Sequence, residues 1–211
     1  MPPIILEPCH YTQQGLVHYM STKGVAETDI IRINDVEQLL DRCQQFQPDV
    51  VFINEECFIN KQEACESIRQ LIRRYPETLF FIFMAISNNH FEEYLYARKN
   101  LVVTSKSIKI STLDSLLSNY LQPRPTLSLR QMVNRDIHPL TLSRTEFKMI
   151  RMWMDGHDTS QISTQMQIKI KTVSSHKGNI RRKIKTHNKQ VIYHVVKLID
   201  NVTSGIYVNM R

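Results

Sequence analysis

The chain has little glycine, no closely paired cysteines and no long hydrophobic run. Its five glycines form neither GxGxxG nor GxxxxGK[ST], so the common nucleotide-phosphate loops are absent. Its four cysteines include no CxxC pair, which favours buried reduced thiols over disulfides or zinc. The longest apolar run, LFFIFMAI, has eight residues, whereas a membrane-spanning helix needs about 20. The N-terminus lacks the pattern of a secretion signal, so we expect a cytoplasmic protein without a cofactor.

Acidic residues are missing from one long stretch, between Thr159 and Ile199. Residues 1–121 contain 11 Lys and Arg against 15 Asp and Glu, a net charge of −4. Residues 122–211 contain 16 against 5, a net charge of +11. An acidic half followed by a basic half indicates that only the second half meets a polyanion.

Short apolar runs alternate with helical patterns in the first half of the chain. The predicted strands are PIILE (3–7), DIIRI (29–33), DVVFI (49–53), LFFIFMAI (79–86) and LVVTS (101–105). Between them we expect helices, including a short one over Phe91 to Arg98 and a last one that begins at Ser111 with Asp114 as its capping partner. Uniformly apolar strands separated by helices predict an α/β doubly wound domain whose functional crevice lies beyond the carboxyl ends of the strands.

A proline-containing segment divides the chain. We predict a first domain over residues 1–121, a linker over 122–139, an all-α domain over 140–204 and a C-terminal tail over 205–211. In the second domain, Ser143 and Glu146 form the pattern of a capping box, and Gly156 is placed to end that helix. A short helix, a tight turn, a basic helix over about Thr172 to Lys185 and a fourth helix follow.

The basic helix is amphipathic. On a helical wheel Val173, Ile180 and Ile184 form one apolar stripe. Small polar residues and cations occupy the other side, and Lys177 lies at the edge, where we expect its ammonium to reach a phosphate. Ser can hydrogen-bond base edges, and Arg can contact guanine or phosphate. The residues predicted to bind DNA are Thr172, Ser174, Ser175, Lys177, Gly178, Arg181, Arg182 and Lys185.

Simpler interpretations remain for several neighbouring residues. A charged helix face can be merely solvated, although the absence of acids and the preceding helix and turn favour nucleic acid. His176 is expected to be packed or hydrogen-bonded rather than a metal ligand, and Trp153 to be a core residue. The fourth helix, starting near Asn188, has more apolar residues than one face needs. It either closes the four-helix core or also mediates self-association.

The stretch from Leu142 to Ile184 resembles the LuxR-type helix-turn-helix domain. The resemblance implies binding to double-stranded DNA through a motif that extends from Thr159 to Gly178. Lys169 departs from the pattern, because the family usually has a capping Ser there. The positions that agree are Glu146, Gly156, Ile162, Ile168, Thr172, Val173, His176, Asn179, Ile180 and Lys183.

Joined to an α/β domain, such a module resembles a two-component response regulator. The segments FINEECFI, LFFIFMAI and KTVSSHKGNI, together with the C-terminal sequence, also resemble the accessory regulators of capsular exopolysaccharide synthesis in enteric bacteria. This resemblance implies an activator, associated with the nucleoid, that forms a heterodimer with the response regulator RcsB.

The first domain lacks most of the groups that a phosphorylated receiver needs. Strand one ends with a single acid, Glu7, and Asn54 stands at the acceptor position after strand three, where an amide cannot form an acyl phosphate. Lys106 fits the receiver pattern, and Glu55 lies one residue from the acceptor. We therefore expect a degenerate receiver whose acceptor region comprises Glu7, Asn54, Glu55 and Lys106.

Three other functions are considered. A regulator switched by phosphorylation of an atypical acceptor is the main alternative. An enzyme with a flavodoxin-like active site is disfavoured by the missing glycine-rich loop and the lack of a nucleophile–base pair. RNA binding is disfavoured because no aromatic residues interleave the basic run.

Overall fold

The structure is a computed structural model that describes residues 1–85, 91, 94–118, 120, 137–203 and 207–208. The chain forms two compact units, Met1–Pro139 and Leu140–Arg211, which are described separately. Most of the predicted linker lies outside the described residues. Within the described part, no helix is both long and apolar enough to cross a membrane.

The first unit is built on a six-stranded sheet with the order β2-β1-β3-β4-β6-β5. All neighbouring strands are parallel except β5 and β6, which are antiparallel. The strands are β1 (Ile4–Leu6), β2 (Ile31–Ile33), β3 (Val50–Asn54), β4 (Leu79–Met84), β5 (Tyr94–Arg98) and β6 (Leu101–Ser105). The helices are α1 (His10–Thr22), α2 (Val36–Phe46), α3 (Gln62–Arg74) and α4 (Ile110–Leu117).

Both faces of the sheet are buried at the strands β1, β3, β4 and β6, as uniformly apolar strands predict. Phe52 and Phe81 stack with ring centroids 5.3 Å apart and pack with apolar residues of α1 and α4 on one face. Val51 and Ile82, which point to the opposite face, are also fully buried. The predicted doubly wound α/β class is therefore confirmed. Its parallel strands place their carboxyl ends along one edge.

The predicted helix over Phe91 to Arg98 is wrong. Tyr94–Arg98 is a strand whose residues alternate between half-buried and buried, and it pairs with β6 across a turn at Lys99 and Asn100. Alternation with a period of two and two tyrosines favour a strand over a helix. The residues before Tyr94 are only partly described, Ala85 lies beyond the strand end at Met84, and the last residue of LFFIFMAI lies outside the described residues.

The predicted capping pair of Ser111 and Asp114 is also wrong. Helix α4 begins after Lys109, which makes no side-chain cap. The Asp114 carboxylate instead accepts a hydrogen bond from the Tyr19 hydroxyl at 2.7 Å and pairs with Lys23 at 2.7 Å. Both hydrogen bonds lower the pKa of Asp114, that from Lys23 more strongly. Because α1 and α4 are distant in sequence, local spacing could not reveal this contact.

The described residues of the second unit form four helices and a two-stranded parallel pair. The elements are β7 (Thr141–Leu142), α5 (Arg144–Met154), α6 (Thr159–Met166), α7 (Ile170–Ile184), α8 (Lys189–Thr203) and β8 (Tyr207–Val208). Pairing of β8 with β7 places part of the predicted tail in a strand. The capping box of Ser143 and Glu146 is present, and Gly156 follows α5 with φ +93°. A second capping box, of Asp158 and Gln161, begins α6.

The apolar residues of α8 are used within the unit itself. All of those that the sequence singled out are at most 4% exposed. This favours the interpretation that α8 closes the four-helix core, and it leaves none of these side chains for self-association. They are Val191, Ile192, Val195, Val196, Leu198 and Ile199.

Candidate functional site

Helices α6 and α7 meet at a short, hydrogen-bonded turn. Gln167 ends α6 with φ +55°, a left-handed conformation. The Ile168 N–H donates to the Ser163 carbonyl at 3.1 Å, and the Ser163 hydroxyl donates back to the Ile168 carbonyl at 2.6 Å. The paired contacts fix the direction in which α7 leaves the turn. Ser163 was not singled out from the sequence because a serine within a helix carries no such signal.

The predicted stripe of α7 is buried as expected. Val173, Ile180 and Ile184 are fully buried. The helix begins at Ile170, two residues before the predicted start, although Lys169 provides no side-chain cap. Ile170 is 55% exposed at the beginning of α7. The sequence analysis did not single out this exposed apolar side chain, although apolar side chains in a major groove contact thymine methyl groups.

Several residues predicted to bind DNA share one exposed surface of α7, here called the reading face: Thr172, Ser174, Ser175, Gly178 and Arg182. All are exposed except Gly178, which is half-buried. The hydroxyls of Ser174 and Ser175 donate to carbonyls one turn earlier at 3.2 and 3.1 Å. No heavy atom lies within 4 Å of a Cβ built on Gly178, so the helix surface there is open. Lys185 is also exposed and follows the helix with φ +58°.

Two predicted DNA-binding cations lie elsewhere. The Lys177 ammonium donates to the Thr159 hydroxyl at 2.9 Å and lies 4.9 Å from the centre of the Trp153 ring. The Arg181 guanidinium lies 5.6 Å from the same centre. Partial burial, and then the neighbouring charges of Lys189 and Arg181, lower the pKa of Lys177. Trp153 is buried, as expected, but its ring also anchors these cations.

Lys183 makes contacts within the second unit, with the Glu146 carboxylate and the Thr141 backbone. Its ammonium lies 2.6 Å from the Glu146 carboxylate and donates to the Thr141 carbonyl at 2.9 Å. Burial would raise the pKa of Glu146, but hydrogen bonds from Lys183 and the Ser143 N–H outweigh it, and the pKa is lowered. The pair joins α5 to α7 and so holds the reading face in place.

The receiver-like unit brings three of its predicted residues together. Glu7 at the end of β1 is 2% exposed, and its Oε1 accepts from the Asn54 amide at 2.8 Å and from Lys106 at 3.1 Å. The Cys9 N–H donates to the same oxygen at 2.9 Å. The side-chain oxygen Oδ1 of Asn54 accepts from the Glu56 N–H at 3.0 Å. A closed cluster therefore occupies the carboxyl ends of β1, β3 and β6.

Glu55 does not join this cluster. It is 2% exposed, and its Oε1 accepts from the Ala85 N–H at 2.6 Å, just beyond β4. Asn54 is the last residue of β3 and Glu55 begins a 3-10 turn, and the two side chains make contacts with different strand ends. The Glu55 carboxylate therefore bridges the ends of β3 and β4 instead of replacing an acceptor aspartate.

The cluster does not fit the Mg²⁺ ion that a working receiver holds. Mg²⁺ needs near-octahedral oxygen ligands, but Asn54 directs its N–H₂ group towards Glu7, and Lys106 neutralises the Glu7 charge. Glu7 Oε2 is the one buried oxygen of the cluster that lacks a hydrogen-bond partner among the described residues. Within the described part of the chain, no group of three or more His, Cys, Asp or Glu residues could hold a metal.

Comparisons with known proteins agree with this geometry. Residues 2–128 match the family model "Transcriptional regulator RcsA, N-terminal dimerisation domain", and residues 140–196 match "Bacterial regulatory proteins, luxR family". The chain is 66% identical to the transcriptional regulatory protein RcsA of Pantoea stewartii subsp. stewartii and 54% identical to that of Escherichia coli O157:H7, in each case over the full length of both.

The fold is also similar to that of a solved two-component response regulator, RcsB, in complex with DNA. The TM-score is 0.52 at 15% identity, with 96% of this chain and 99% of that chain covered. The expected receiver-like and LuxR-type architecture is thereby confirmed. From the two family models and the full-length identities, the chain belongs to the RcsA family of transcriptional regulators, with a LuxR-type DNA-binding domain.

Proposed function

We propose that the chain activates capsular exopolysaccharide biosynthesis genes as a non-phosphorylated auxiliary partner of the response regulator RcsB. It would act in the cytoplasm, at the bacterial nucleoid, as one half of a heterodimer on double-stranded DNA. The observation that carries the non-phosphorylated role is the contact between Asn54 and Glu7, which puts an amide donor at the acceptor position.

The chemistry at this edge of the sheet opposes phosphoryl transfer. Asn54 has no carboxylate to attack a phosphodonor. Lys106 pairs with Glu7, so the charge that would attract a metal ion is already compensated. Without the metal and the acceptor, neither charge neutralisation nor in-line attack is available. Glu55 is 2% exposed and its Oε1 accepts from the Ala85 N–H, so this carboxylate is shielded from a phosphodonor.

The short side chains of the reading face support the proposal that the chain recognises DNA together with a partner. Its exposed side chains are mostly short, and the hydroxyls of Ser174 and Ser175 also bond their own helix. A good bidentate base contact contributes about 1–3 kcal/mol of discrimination, and a single hydroxyl less. One such helix therefore reads little sequence, whereas two chains on adjacent half-sites read more. The matched family description also names the first unit a dimerisation domain.

A mobility-shift assay on a capsule-gene promoter tests the proposal, with this chain alone, RcsB alone and the two together. The proposal predicts a new, slower complex at protein concentrations where neither protein alone shifts the DNA. An Arg182→Gln/Lys185→Gln variant, which loses one cation of α7 and one that directly follows it, should weaken that complex. The same shift from this chain alone would refute the auxiliary role, and no shift from any mixture would refute the heterodimer.

A further inference from the structure

Three cations of the second unit converge on one aromatic ring. Trp153 is the only tryptophan of the chain and is 5% exposed. Lys177 and Arg181 of α7 lie 4.9 and 5.6 Å from its ring centre, and Lys189 of α8 lies 5.9 Å from it. Cations within about 6 Å of an indole are attracted by the negative face of its π system. Cations of two helices, α7 and α8, therefore lie beside the Trp153 ring.

The ring itself is held firmly. Tyr193 of α8 meets Trp153 edge-on, with centroids 5.8 Å apart and planes at 88°. The Tyr193 hydroxyl donates to the Trp153 carbonyl. Lys189 also lies 5.0 Å from the Tyr193 ring. The two aromatic side chains thus form a fixed platform beneath Lys189 and the cations of α7.

The cluster is not balanced by a salt bridge within the described part of the chain. Among the described residues, none of Lys177, Arg181 and Lys189 forms a salt bridge; Asp158 acts on Lys177 only as a nearby charge. The Arg181 Nε is shielded from solvent and has no hydrogen-bond partner in the described part of the chain. Like charges held together in a partly desolvated place repel one another. An anion would relieve this repulsion.

A hydroxyl donor completes the arrangement. Lys177 donates to the hydroxyl of Thr159 at 2.9 Å, so the proton of that hydroxyl remains available to an acceptor. Thr159 is the first residue of α6, whose N-terminus is capped by the Asp158 carboxylate, which accepts from the Gln161 N–H at 2.8 Å. The cluster thus combines side chains of α6, α7 and α8, the kind of convergence that a phosphate contact needs.

We propose that Lys177, Lys189 and Thr159 bind one phosphate of the DNA backbone, and that Trp153 is the positioning residue that holds the two ammonium groups for it. This inference rests on the DNA-binding function and assigns a contact outside the reading face. Because the contact is to the backbone, it sets the register of α7 in the groove and carries no sequence information itself.

The salt dependence of DNA binding tests the site in the full-length chain. Neutralising one phosphate contact lowers the log–log slope of affinity against salt by about 0.9. Lys177→Gln and Lys189→Gln should each lower the slope, by up to this amount because they share one phosphate, as measured by fluorescence anisotropy of a labelled promoter duplex in the presence of RcsB. Lys197→Gln is the matched control, because Lys197 is exposed on the same helix about 12 Å further along. Equal slopes for Lys189→Gln and Lys197→Gln would overturn the site.

Substitution of the platform separates positioning from folding. Trp153→Phe keeps a π face, whereas Trp153→Leu keeps only apolar volume. We expect the Phe variant to retain most of the wild-type slope and the Leu variant to lose the one phosphate contact, about 0.9. Thermal unfolding of both variants identifies any loss of the fold. If both are folded and give the same slope, Trp153 is a core residue alone and the positioning role is refuted.

Trp153 fluorescence distinguishes a DNA phosphate from free phosphate. Promoter duplex should change the emission of Trp153 in the wild type, and Lys177→Gln/Lys189→Gln should abolish that change. Inorganic phosphate at the same phosphate concentration should leave it unchanged, and a saturating response to inorganic phosphate would overturn the assignment to DNA. If the wild-type chain with RcsB fails to bind duplex at all, the DNA-binding function fails. If it binds normally but the double variant responds like the wild type, only the phosphate site fails.

Discussion

The Lys106 ammonium lies 3.1 Å from Oε1 of Glu7, a carboxylate that is almost completely buried at the carboxyl edge of the receiver-like sheet. The Asn54 amide donates to the same oxygen at 2.8 Å. The residues that would hold a metal and a phosphoryl group in a working receiver therefore bind one another. The contacts among these residues at the edge of the sheet stabilise the first unit.

Removing Lys106 should destabilise the first unit. Lys106→Met leaves the buried Glu7 charge without its counterion, and we expect a loss of about 1–3 kcal/mol, reduced from that of a fully buried pair because the Lys106 side chain is 29% exposed. The double variant Glu7→Gln/Lys106→Met should recover part of this loss. Urea unfolding followed by circular dichroism measures both. Lys99→Met, at an exposed turn, is the control, and an equal effect there would contradict the role of the ion pair.

The second unit should lose stability in acid through Glu146. Its pKa is lowered in the folded state, so the contribution of its charge is complete above the ordinary value of 4.5 and disappears as the pH falls from there through the lower folded pKa. The contribution of Glu146 to the free energy of unfolding should therefore not vary with pH near pH 7 and should decrease below about pH 4.5. Glu146→Gln should remove that component. Urea midpoints at several pH values test this, and an unchanged pH dependence in the variant would refute it.

Gly178→Ala should separate stability from DNA recognition. Nothing lies within 4 Å of the added Cβ, so the substitution should stabilise α7 by about 0.5–1 kcal/mol. The same methyl group adds bulk to the reading face and should weaken binding to the promoter duplex. Thermal unfolding measures the change in stability, and fluorescence anisotropy of the labelled duplex measures the change in affinity. A more stable variant with unchanged affinity would remove Gly178 from the reading face.

Cations and hydroxyls of α7 should affect different properties of binding. Arg182→Gln and Lys185→Gln should each lower the salt slope by about 0.9 for every duplex tested, as expected for phosphate contacts. Ser174→Ala and Ser175→Ala should keep the slope and reduce discrimination between promoter and mutated duplexes, by up to about 1 kcal/mol. If the two classes of variant behave alike, the division of α7 into base and phosphate contacts is wrong.

Local sequence patterns were sufficient to predict much of the structure of the second unit. The stripe of Val173, Ile180 and Ile184, the capping box at Ser143 and the stop at Gly156 follow from spacing and backbone preference alone, because each depends on residues within one or two turns. The five parallel strands were found for a similar reason, since each is a short apolar run.

Contacts between elements that are distant in sequence could not be predicted from the sequence. The antiparallel strand at Tyr94–Arg98 depends on pairing with β6, and Asp114 turns to Tyr19 and Lys23 of α1. Lys177 appeared at the edge of a helical wheel, but a wheel does not show that Trp153 of another helix lies beside it. The wheel assigns a side of the helix, and tertiary packing decides what that side meets.

The most direct test of the central claim is the intact mass of the full-length chain after incubation with acetyl phosphate and Mg²⁺. With Asn54 at the acceptor position and Glu7 paired to Lys106, the mass should stay unchanged while RcsB, treated in parallel, gains one phosphoryl group. A gain of one phosphoryl group on this chain, lost in Glu55→Gln, would contradict the account and establish a phosphorylation-switched regulator with an atypical acceptor.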